Sequence, residues 1–322
     1  MNTKPKISVI VPVYGVEKYI ERCARSLFEQ TFDDIEYIFV DDCTLDKSIE
    51  ILQKVLLEYP LRIEQTRIVK MQSNTGLAGV RSYGIKLAKG NYIIHCDSDD
   101  WLDKDMCRVL YEKAVEENAD VVICDYITTN GINNKKYSGL SSTNKEQVIL
   151  DMLFQRNSWS LWNKLFKKDI YKQEITYAQD NMGEDMTLVM QMIYYCNRIS
   201  YVSNVYYYYY QNSLSITQNV SPTSVFNRFK QGCNNAKIVE AFYKNIPFNN
   251  KINEGLIYMK YKRRNLLLPL LKDKKYFKIW IKTFPEINVK FFLCYNIPIK
   301  DKIRFFLSLL RLYPRFFVDC KY

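Results

Sequence analysis

The sequence ISVIVPV at residues 7–13 decides the fold class. It is short, free of charge and rich in β-branched residues, which is typical of a strand buried on both faces of a parallel sheet. A helical pattern over residues 17–30 follows, and then a second apolar run, IEYIFV, at residues 35–40. Strand and helix patterns keep alternating, which predicts an α/β domain with a doubly wound, mainly parallel sheet.

The alternation continues to about residue 124. It predicts strands at 66–71, 91–96 and 121–124 and helices at 48–58, 78–87 and 103–117, the last capped by Asp103. Residues 130–144 are polar and rich in Gly, Ser and Asn, which predicts a loop. Beyond this loop we predict helices at 147–154 and 186–196, a Tyr-rich strand at 199–210 and a mostly helical tail from about residue 221.

Acidic or polar side chains follow three of the predicted strands. Pro12 and Tyr14 end the first strand, Asp41 and Asp42 end the second, and the run DSDD at 97–100 ends the fourth. In an open α/β sheet the carboxyl ends of the strands form the edge where ligands bind. A turn could explain one such cluster. Several carboxylates at one edge would repel each other unless a cation or hydrogen-bond donors were present, so we expect a binding site.

The loop after the first strand, PVYGVEKYI at residues 12–20, has a single glycine. It therefore lacks the GxGxxG pattern of a dinucleotide site, and the chain has no GxxxxGK[ST] phosphate loop. A divalent cation on carboxylates is the alternative way to hold a diphosphate, because Mg²⁺ and Mn²⁺ prefer hard oxygen ligands. Asp97 and Asp99 supply two carboxylates that could turn towards one point.

Together these runs resemble glycosyltransferase family 2. The matching positions are SVIVPVY at 8–14, VDD at 40–42, Asn74 and Gly76 with Arg81 and Gly84, and DSDD at 97–100. WNKLF at 162–166, GED at 183–185, the tyrosines at 206–210 and SLS at 213–215 are similar to the bacterial polysaccharide-synthesis branch. The resemblance covers roughly residues 6–217. It implies the GT-A nucleotide-diphospho-sugar transferase fold over 1–218, with a nucleotide-sugar half at about 1–128 and an acceptor half at about 129–218.

The resemblance also implies a role for individual residues. The donor would be bound by Pro12, Tyr14, Glu17, Asp41, Asp42, Arg81, Asp97 and Ser98. For Arg81 the alternative is that it braces the acidic loop. A divalent metal, Mn²⁺ or Mg²⁺, would be held by Asp97 and Asp99, with Asp100 assisting. Asp185 would be the general base, and Glu184, Trp162 and Lys164 are candidates for the acceptor side. A packing tryptophan and a surface lysine are the alternatives for Trp162 and Lys164. The alternative for Asp185 is a helix cap, since it precedes an apolar helical pattern.

Sugar transfer to an alcohol needs two separate groups. A cation must neutralise the charge that develops on the leaving diphosphate, and a carboxylate must take the proton of the attacking hydroxyl. A single base without an enzyme nucleophile leads to inversion at the anomeric carbon. The resemblance implies transfer of a hexose or N-acetylhexosamine from a nucleotide-diphospho-sugar, commonly a UDP-sugar, to a lipid-linked or polysaccharide acceptor in cell-surface or capsular polysaccharide synthesis.

The charge of the chain is unevenly distributed. Residues 220–322 carry 21 Lys+Arg and 6 Asp+Glu, although the net charge of the whole chain is only +11. A basic and apolar tail indicates an anionic partner. We therefore expect a helical, basic extension over 219–322, which would lie on an anionic membrane through amphipathic helices such as 303–317. The alternative is a helical cap packed on the catalytic domain.

Compartment and rival functions follow from what the sequence lacks. The nine cysteines form no CxxC pair, the N-terminus has no signal-peptide pattern, and no apolar run reaches the ~18 residues of a membrane span. We therefore expect a cytoplasmic protein, peripheral on the inner face of the plasma membrane. A nucleotide-sugar-binding protein without catalysis and nucleic-acid binding through the basic tail are alternatives. The second is disfavoured because no nucleic-acid module is recognisable, so we expect no nucleic-acid partner.

Overall fold

The computed structural model describes residues 4–212, 219–244, 246 and 250–312. The chain divides into two compact units, Met1–Val148 with Asn157–Ser213 and Ile149–Arg156 with Leu214–Tyr322. The predicted domain boundary, between 218 and 219, lies close to the last of these junctions. The segment Ile149–Arg156, which the sequence assigned to the first domain, belongs to the second unit. The SLS run at 213–215 and the end of the amphipathic pattern at 313–317 lie outside the described residues.

The strands of the first unit form one sheet. Among the described residues they are β1 (Ile7–Val13), β2 (Ile35–Asp41), β3 (Thr66–Lys70), β4 (Tyr92–His95), β5 (Trp101–Leu102), β6 (Val121–Thr129), β7 (Asn134–Tyr137), β8 (Lys164–Lys167) and β9 (Ile199–Tyr210). Their order is β3-β2-β1-β4-β8-β6-β9-β5, and β7 pairs with β6. Every residue of β1 and β2 is buried, as expected for central strands covered on both faces.

The sheet is mixed rather than mainly parallel. β1 pairs in parallel with β2 and β4, and β2 pairs in parallel with β3. Beyond β4 the pairs β4–β8, β6–β8, β6–β7 and β5–β9 are antiparallel, whereas β6–β9 is parallel. The α/β fold class is confirmed. Parallel pairing holds for β1–β4 and for the β6–β9 pair, whereas each of these antiparallel pairs involves β5, β7 or β8, which were not predicted.

Six helices accompany the sheet in the sequence up to residue 195. They are α1 (Ile20–Phe28), α2 (Ser48–Leu57), α3 (Gly76–Leu87), α4 (Met106–Glu116), α5 (Lys145–Leu153) and α6 (Glu184–Tyr195), of which α5 runs into the segment of the second unit. The predicted cap of α4 is wrong. The helix begins at Met106, and the Asp103 side chain instead accepts the backbone N–H of Asp105 at 2.9 Å in the preceding turn. The predicted loop at 130–144 also contains a strand, β7.

The second unit is helical, as predicted for the tail. Its further helices are α7 (Pro222–Lys244), α8 (Asn250–Arg264), α9 (Lys274–Lys282), α10 (Ile287–Leu293) and α11 (Ile299–Leu309), with a 3₁₀ helix at Asn265–Leu270. Its core contains the buried aromatic rings of Tyr261, Trp280, Phe291 and Phe305. Within the described residues, no helix combines the length and apolar character needed to cross a bilayer.

Candidate active site

The candidate site lies at the carboxyl edge of β1, β2 and β4, which are neighbouring parallel strands. The backbone N–H of Asp42 donates to the carbonyl of Val13 at 3.0 Å, and that of Cys96 donates to Ile10 at 3.0 Å. The segments that follow β2 and β4 therefore leave the sheet on either side of β1. This is the edge where ligands bind in open α/β sheets.

Arg81 of α3 joins the acidic residues of this edge. Its side chain is only 2% exposed. One terminal nitrogen, Nη1, donates to the carboxylates of Glu184 and Asp185, and the other, Nη2, donates to Asp97. Glu184 and Asp185 occupy the first turn of α6, just after Gly183 with its φ of 84°, where the helix dipole favours negative charge. The cluster therefore unites the end of β4, the middle of α3 and the start of α6.

Burial and mutual repulsion perturb these carboxyl groups. Burial raises the pKa of Asp97 to about 6, with Asp185 and Asp99 adding to the rise and Arg81 opposing it. Burial, strengthened by the charge of Asp185, also raises the pKa of Glu184 well above its ordinary value. Burial would raise the pKa of Asp185 too, but the Arg81 guanidinium outweighs it, so this pKa is lowered. The two pKa values therefore shift in opposite directions, and Asp185 is the member of the pair that Arg81 favours in the ionised form.

The carboxylate of Asp185 has a lowered pKa and is also partly accessible to solvent. Its side chain is 20% exposed, whereas that of Glu184 is 6% exposed. Its Oδ2 accepts the backbone N–H of Leu161 at 3.4 Å. An ionised, oriented and partly accessible carboxylate is suited to accept a proton. The cap alternative is not what the structure shows, because Gly183 is the N-cap and no side chain caps α6.

Trp162 and Lys164, both predicted for the acceptor side, are buried. Lys164 has no exposed surface, and its ammonium donates to the carbonyls of Ser158 at 3.0 Å and Ser160 at 2.7 Å and to the side chain of Asn163 at 2.8 Å. The Trp162 ring is 6% exposed and stacks on Tyr207, with ring centroids 4.4 Å apart. These contacts favour a supporting role, since both residues shape the segment that carries Leu161.

The three candidates for metal binding differ in their surroundings. Asp100 is fully buried, and its two oxygens accept the hydroxyl of Tyr207 at 2.7 Å and the backbone N–H of Tyr210 at 2.6 Å. Asp100 therefore ties its loop to β9, and this arrangement speaks against the metal contact expected of it. Asp97 and Asp99 remain partly accessible, and Asp99 accepts a long hydrogen bond, 3.3 Å, from the side-chain amide of Asn212.

Two carboxylates suit a cation that arrives with its substrate. In the described part of the chain, no group of three His, Cys, Asp or Glu side chains is placed to hold a metal ion. Mg²⁺ and similar ions are commonly bound by one or two carboxylates together with substrate phosphates. Burial raises the pKa values of both Asp97 and Asp99, so a cation bound between them would offset the cost of ionising these carboxyl groups. The donor set of Asp97 and Asp99 therefore fits a divalent cation shared with a diphosphate.

Asp42 and Asp41 both have local partners. Asp42 caps α3, because its Oδ1 accepts the N–H of Thr75 at 2.7 Å and its Oδ2 accepts the N–H of Gly76 at 2.8 Å. Asp41 accepts the N–H of Thr44 at 2.8 Å. Asp42 thus fixes the start of the helix that carries Arg81. The predicted contact of Asp42 with the nucleobase would use the same two oxygens that already accept hydrogen bonds from the start of α3.

The remaining donor candidates lie on the β1 side of the edge or in the loop after β4. The Tyr14 ring is 53% exposed, whereas Pro12 is buried within β1. Glu17 is exposed and accepts the backbone N–H of Lys47 at 3.1 Å, which ties the loop after β1 to the start of α2. Ser98 is 7% exposed. Tyr14 therefore offers an open aromatic face beside the β2 loop, while the others shape the surrounding walls.

Residues far away in the sequence complete the site, and the sequence did not reveal them. The Tyr207 hydroxyl accepts the N–H of Asp97 at 3.1 Å while it donates to Asp100. The side chain of Asn212 bridges Asp99 and the hydroxyl of Tyr19. The tyrosine run at 206–210 was a visible signal, since a strand places alternate tyrosines on one face. For Asn212 no signal existed.

The fold and the site together define a class of protein. Two carboxylates suited to a cation and diphosphate, and a separate ionised carboxylate, lie at one edge of an α/β sheet. This arrangement is that of a nucleotide-diphospho-sugar transferase domain of the GT-A type. The chain belongs to glycosyltransferase family 2, because the model of the glycosyl transferase family 2 matches residues 8–186. The resemblance seen in the sequence is therefore confirmed.

Relatives and solved structures agree with this assignment. The chain is 32% identical over 221 residues to glycosyltransferase GlyA of Streptococcus pneumoniae, covering 65% of this chain and 31% of GlyA. The structure of Staphylococcus aureus TarS 1-349 in complex with UDP-GlcNAc matches with a TM-score of 0.57 and 23% identity over 81% of each chain. Mannosyltransferase PcManGT from Pyrobaculum calidifontis, in complex with GDP-Man and Mn²⁺, matches with a TM-score of 0.57 and 13% identity over 97% of this chain and 82% of that chain. These structures confirm the GT-A fold, while the chain spans only about a third of GlyA.

Proposed function

We propose that this protein is an inverting glycosyltransferase. It transfers a hexose or N-acetylhexosamine from a UDP-sugar to a hydroxyl of a glycan or lipid-linked acceptor in the synthesis of cell-surface or capsular polysaccharide. The observation that carries the proposal is the Arg81 cluster, in which one guanidinium binds the candidate metal ligand Asp97 and the ionised Asp185 at different nitrogens. The complex of TarS with UDP-GlcNAc supports a UDP-sugar donor. TarS is named a poly(ribitol-phosphate) beta-N-acetylglucosaminyltransferase, which supports a polymer acceptor.

In this proposal the donor occupies the carboxyl edge of β1, β2 and β4. The exposed Tyr14 ring stacks on the base, since an aromatic face suits a flat heterocycle. Asp97 and Asp99 hold a divalent cation, Mn²⁺ or Mg²⁺, which would neutralise charge on the leaving diphosphate. The presence of Mn²⁺ in the PcManGT complex supports such an ion.

Asp185 takes the proton of the acceptor hydroxyl. Its lowered pKa keeps it ionised, the Leu161 N–H orients one of its oxygens, and its exposed surface leaves room for a hydroxyl. The pKa of its neighbour Glu184 is raised instead, first by burial, so Asp185 is the better proton acceptor of the two at neutral pH. A single base leads to inversion, because the hydroxyl attacks the sugar directly from the face opposite the diphosphate.

The substitution Asp185→Asn tests the proposal. It preserves shape but removes the proton acceptor, so we expect turnover to fall about 10²–10⁴-fold. Binding of UDP with Mn²⁺, measured by calorimetry, should change little. Turnover is measured as UDP released from a panel of UDP-sugars. Asp169→Asn, in an exposed pair with Lys172, is the control and should leave both values unchanged. Normal turnover by Asp185→Asn would exclude Asp185 as the base.

The proposal also places the protein at the inner face of the plasma membrane, as a peripheral protein. The basic second unit supports this location, because anionic lipids attract clustered Lys and Arg. A membrane-bound enzyme would meet a lipid-linked acceptor where that acceptor resides.

A further inference from the structure

Helix α11 presents an apolar stripe to solvent. Ile299, Ile303, Phe306 and Leu310 are 72%, 54%, 52% and 52% exposed. Their spacings of four, three and four residues place them on one face of the helix and its last turn. A helix of a soluble domain normally turns such a stripe towards the core. The orientation of α11 is therefore the reverse of the usual one.

The opposite face of α11 is already packed within the second unit. Asp301, Phe305 and Ser308 are buried there, and the Asp301 carboxylate accepts the hydroxyl of Tyr258 at 2.8 Å. The Phe305 ring packs against Phe291, with ring centroids 4.9 Å apart. These contacts fix the rotation of the helix. The apolar stripe is thus a stable feature of the folded unit.

The preceding segment exposes further apolar side chains. Val289 and Leu293 of α10 are 67% and 78% exposed, and Tyr295 in the following connection is 91% exposed. We call the seven side chains the α10–α11 face: Val289, Leu293, Tyr295, Ile299, Ile303, Phe306 and Leu310. Concentrated apolar exposure of this kind marks an interaction surface, whereas scattered apolar residues do not.

The charged side chains of the α10–α11 segment are mainly basic. They are Lys290, Lys300, Lys302, Arg304 and Arg311, against Glu286 and the buried Asp301. Lys290 and Lys300 are exposed, whereas Arg304 lies 3.9 Å from Asp301 and the ammonium of Lys302 donates to the carbonyl of Phe292. An apolar stripe accompanied by exposed lysines complements a surface that is negative outside and apolar beneath.

We propose that the α10–α11 face docks on an anionic lipid bilayer, with its apolar side chains at the boundary between headgroups and acyl chains. Amphipathic helices with basic flanks bind membranes in this way. Each cation near the surface strengthens binding by about fivefold. Only the purpose of docking, access to a lipid-linked acceptor, rests on the proposed function. Membrane binding itself requires no catalysis.

Vesicle flotation of the full chain tests the proposal. The protein should float with vesicles of phosphatidylcholine mixed with phosphatidylglycerol, and much less with phosphatidylcholine alone. The triple variant Ile299→Ser, Ile303→Ser, Phe306→Ser should weaken binding at least about tenfold. The control Leu61→Ser, Ile132→Ser changes side chains of the first unit that are 88% and 87% exposed, and it should bind like the unchanged protein. Lys290→Gln with Lys300→Gln should weaken binding to the mixed vesicles only.

Other occupants of the face give different results. If the triple variant binds vesicles as well as the control does, the proposal is overturned. If the full chain does not float, and ultracentrifugation shows it as a dimer but the triple variant as a monomer, the face binds a second copy. If only a chain lacking residues 313–322 floats, that segment covers the face. If the unchanged protein floats but releases no UDP from UDP-sugars, the proposed function is contradicted. If it releases UDP but does not float, docking alone is contradicted. A matching melting temperature shows that each variant is folded.

Discussion

Arg81 shows how a buried cation can organise a site. Burial lowers the pKa of a guanidinium, but Asp185, Glu184 and Asp97 outweigh that effect and raise the pKa of Arg81. Removing one partner of a buried ion pair typically costs about 3–5 kcal/mol of stability, since the remaining charge loses its compensation. From the sequence we could predict that Arg81 lies near the donor site. That it joins Asp97 to Glu184 and Asp185 depends on α6, which begins 103 residues later in the chain.

Lys164 provides a prediction for pH dependence. Burial lowers its pKa to about 7 from the ordinary 10.5, although Asp185 opposes the shift and the three accepting oxygens favour the ammonium. Between these two values the unfolded chain binds the proton and the folded chain releases it, so the contribution of Lys164 to stability rises with pH. The free energy of unfolding should therefore rise relative to that of Lys164→Met between pH 7 and pH 9, by at most about 1.4 kcal/mol per pH unit.

Urea denaturation of both proteins measures this difference. At pH 7, Lys164→Met should already be less stable by about 2–4 kcal/mol, because buried oxygens lose their donor. The control Lys172→Met removes an exposed lysine paired with Asp169 and should change stability by less than about 0.5 kcal/mol at either pH. A gap between Lys164→Met and the unchanged protein that stays constant with pH would mean that Lys164 is not titrating in this range.

At the scale of elements, the start of α3 depends on a single carboxylate. Asp42→Ala removes both acceptors from the first turn of α3, so we expect a loss of about 1–2 kcal/mol in the free energy of unfolding. Asp42→Asn keeps one acceptor oxygen and should lose roughly half as much. The control is Asp34→Ala, which removes an exposed carboxylate outside any helix start. Equal losses for Asp42→Ala and Asp34→Ala, measured by urea denaturation, would show that the cap adds nothing.

A strand or helix was predicted accurately where its own sequence pattern determines it, and poorly where tertiary pairing does. The bounds of β1 and β9 are as predicted, because long runs of β-branched or aromatic residues leave little ambiguity. β5 has two residues and β7 reads NKKY, so neither carries an apolar pattern of its own. Their pairing comes from β9 and β6, which is a tertiary effect. The helix α1 begins at Ile20 instead of residue 17, because Glu17 is tied to the loop before α2.

The same distinction applies to the candidate site. Aspartates at strand ends could be predicted to lie at one edge, because parallel strands bring their carboxyl ends together. The different surroundings of Asp97, Asp99 and Asp100 could not, since Tyr207, Tyr210 and Asn212 arrive from more than a hundred residues away. Which member of the 184–185 pair is ionised likewise depends on burial, which a sequence does not display.

At the scale of the whole molecule, ligand binding should stabilise the fold. A ligand that binds the native state alone at a hundred times its Kd adds about 2.7 kcal/mol. We therefore expect UDP with Mn²⁺ to raise the melting temperature by roughly 5 °C, and either alone to raise it much less, because the ion and the diphosphate share ligands. Differential scanning fluorimetry measures the shift. A larger shift with GDP and Mn²⁺ than with UDP and Mn²⁺ would contradict a UDP-sugar donor.

The guanidinium of Arg81 is a counter-ion that two functional groups share. Any cation that draws Asp97 away from Arg81 changes the electrostatic potential felt by Asp185. Under the proposed roles of Asp97 and Asp185, donor occupancy and the proton affinity of the base would be thermodynamically linked, and such linkage is reciprocal. Binding of the donor would then change the acid–base state of the group that acts on the acceptor.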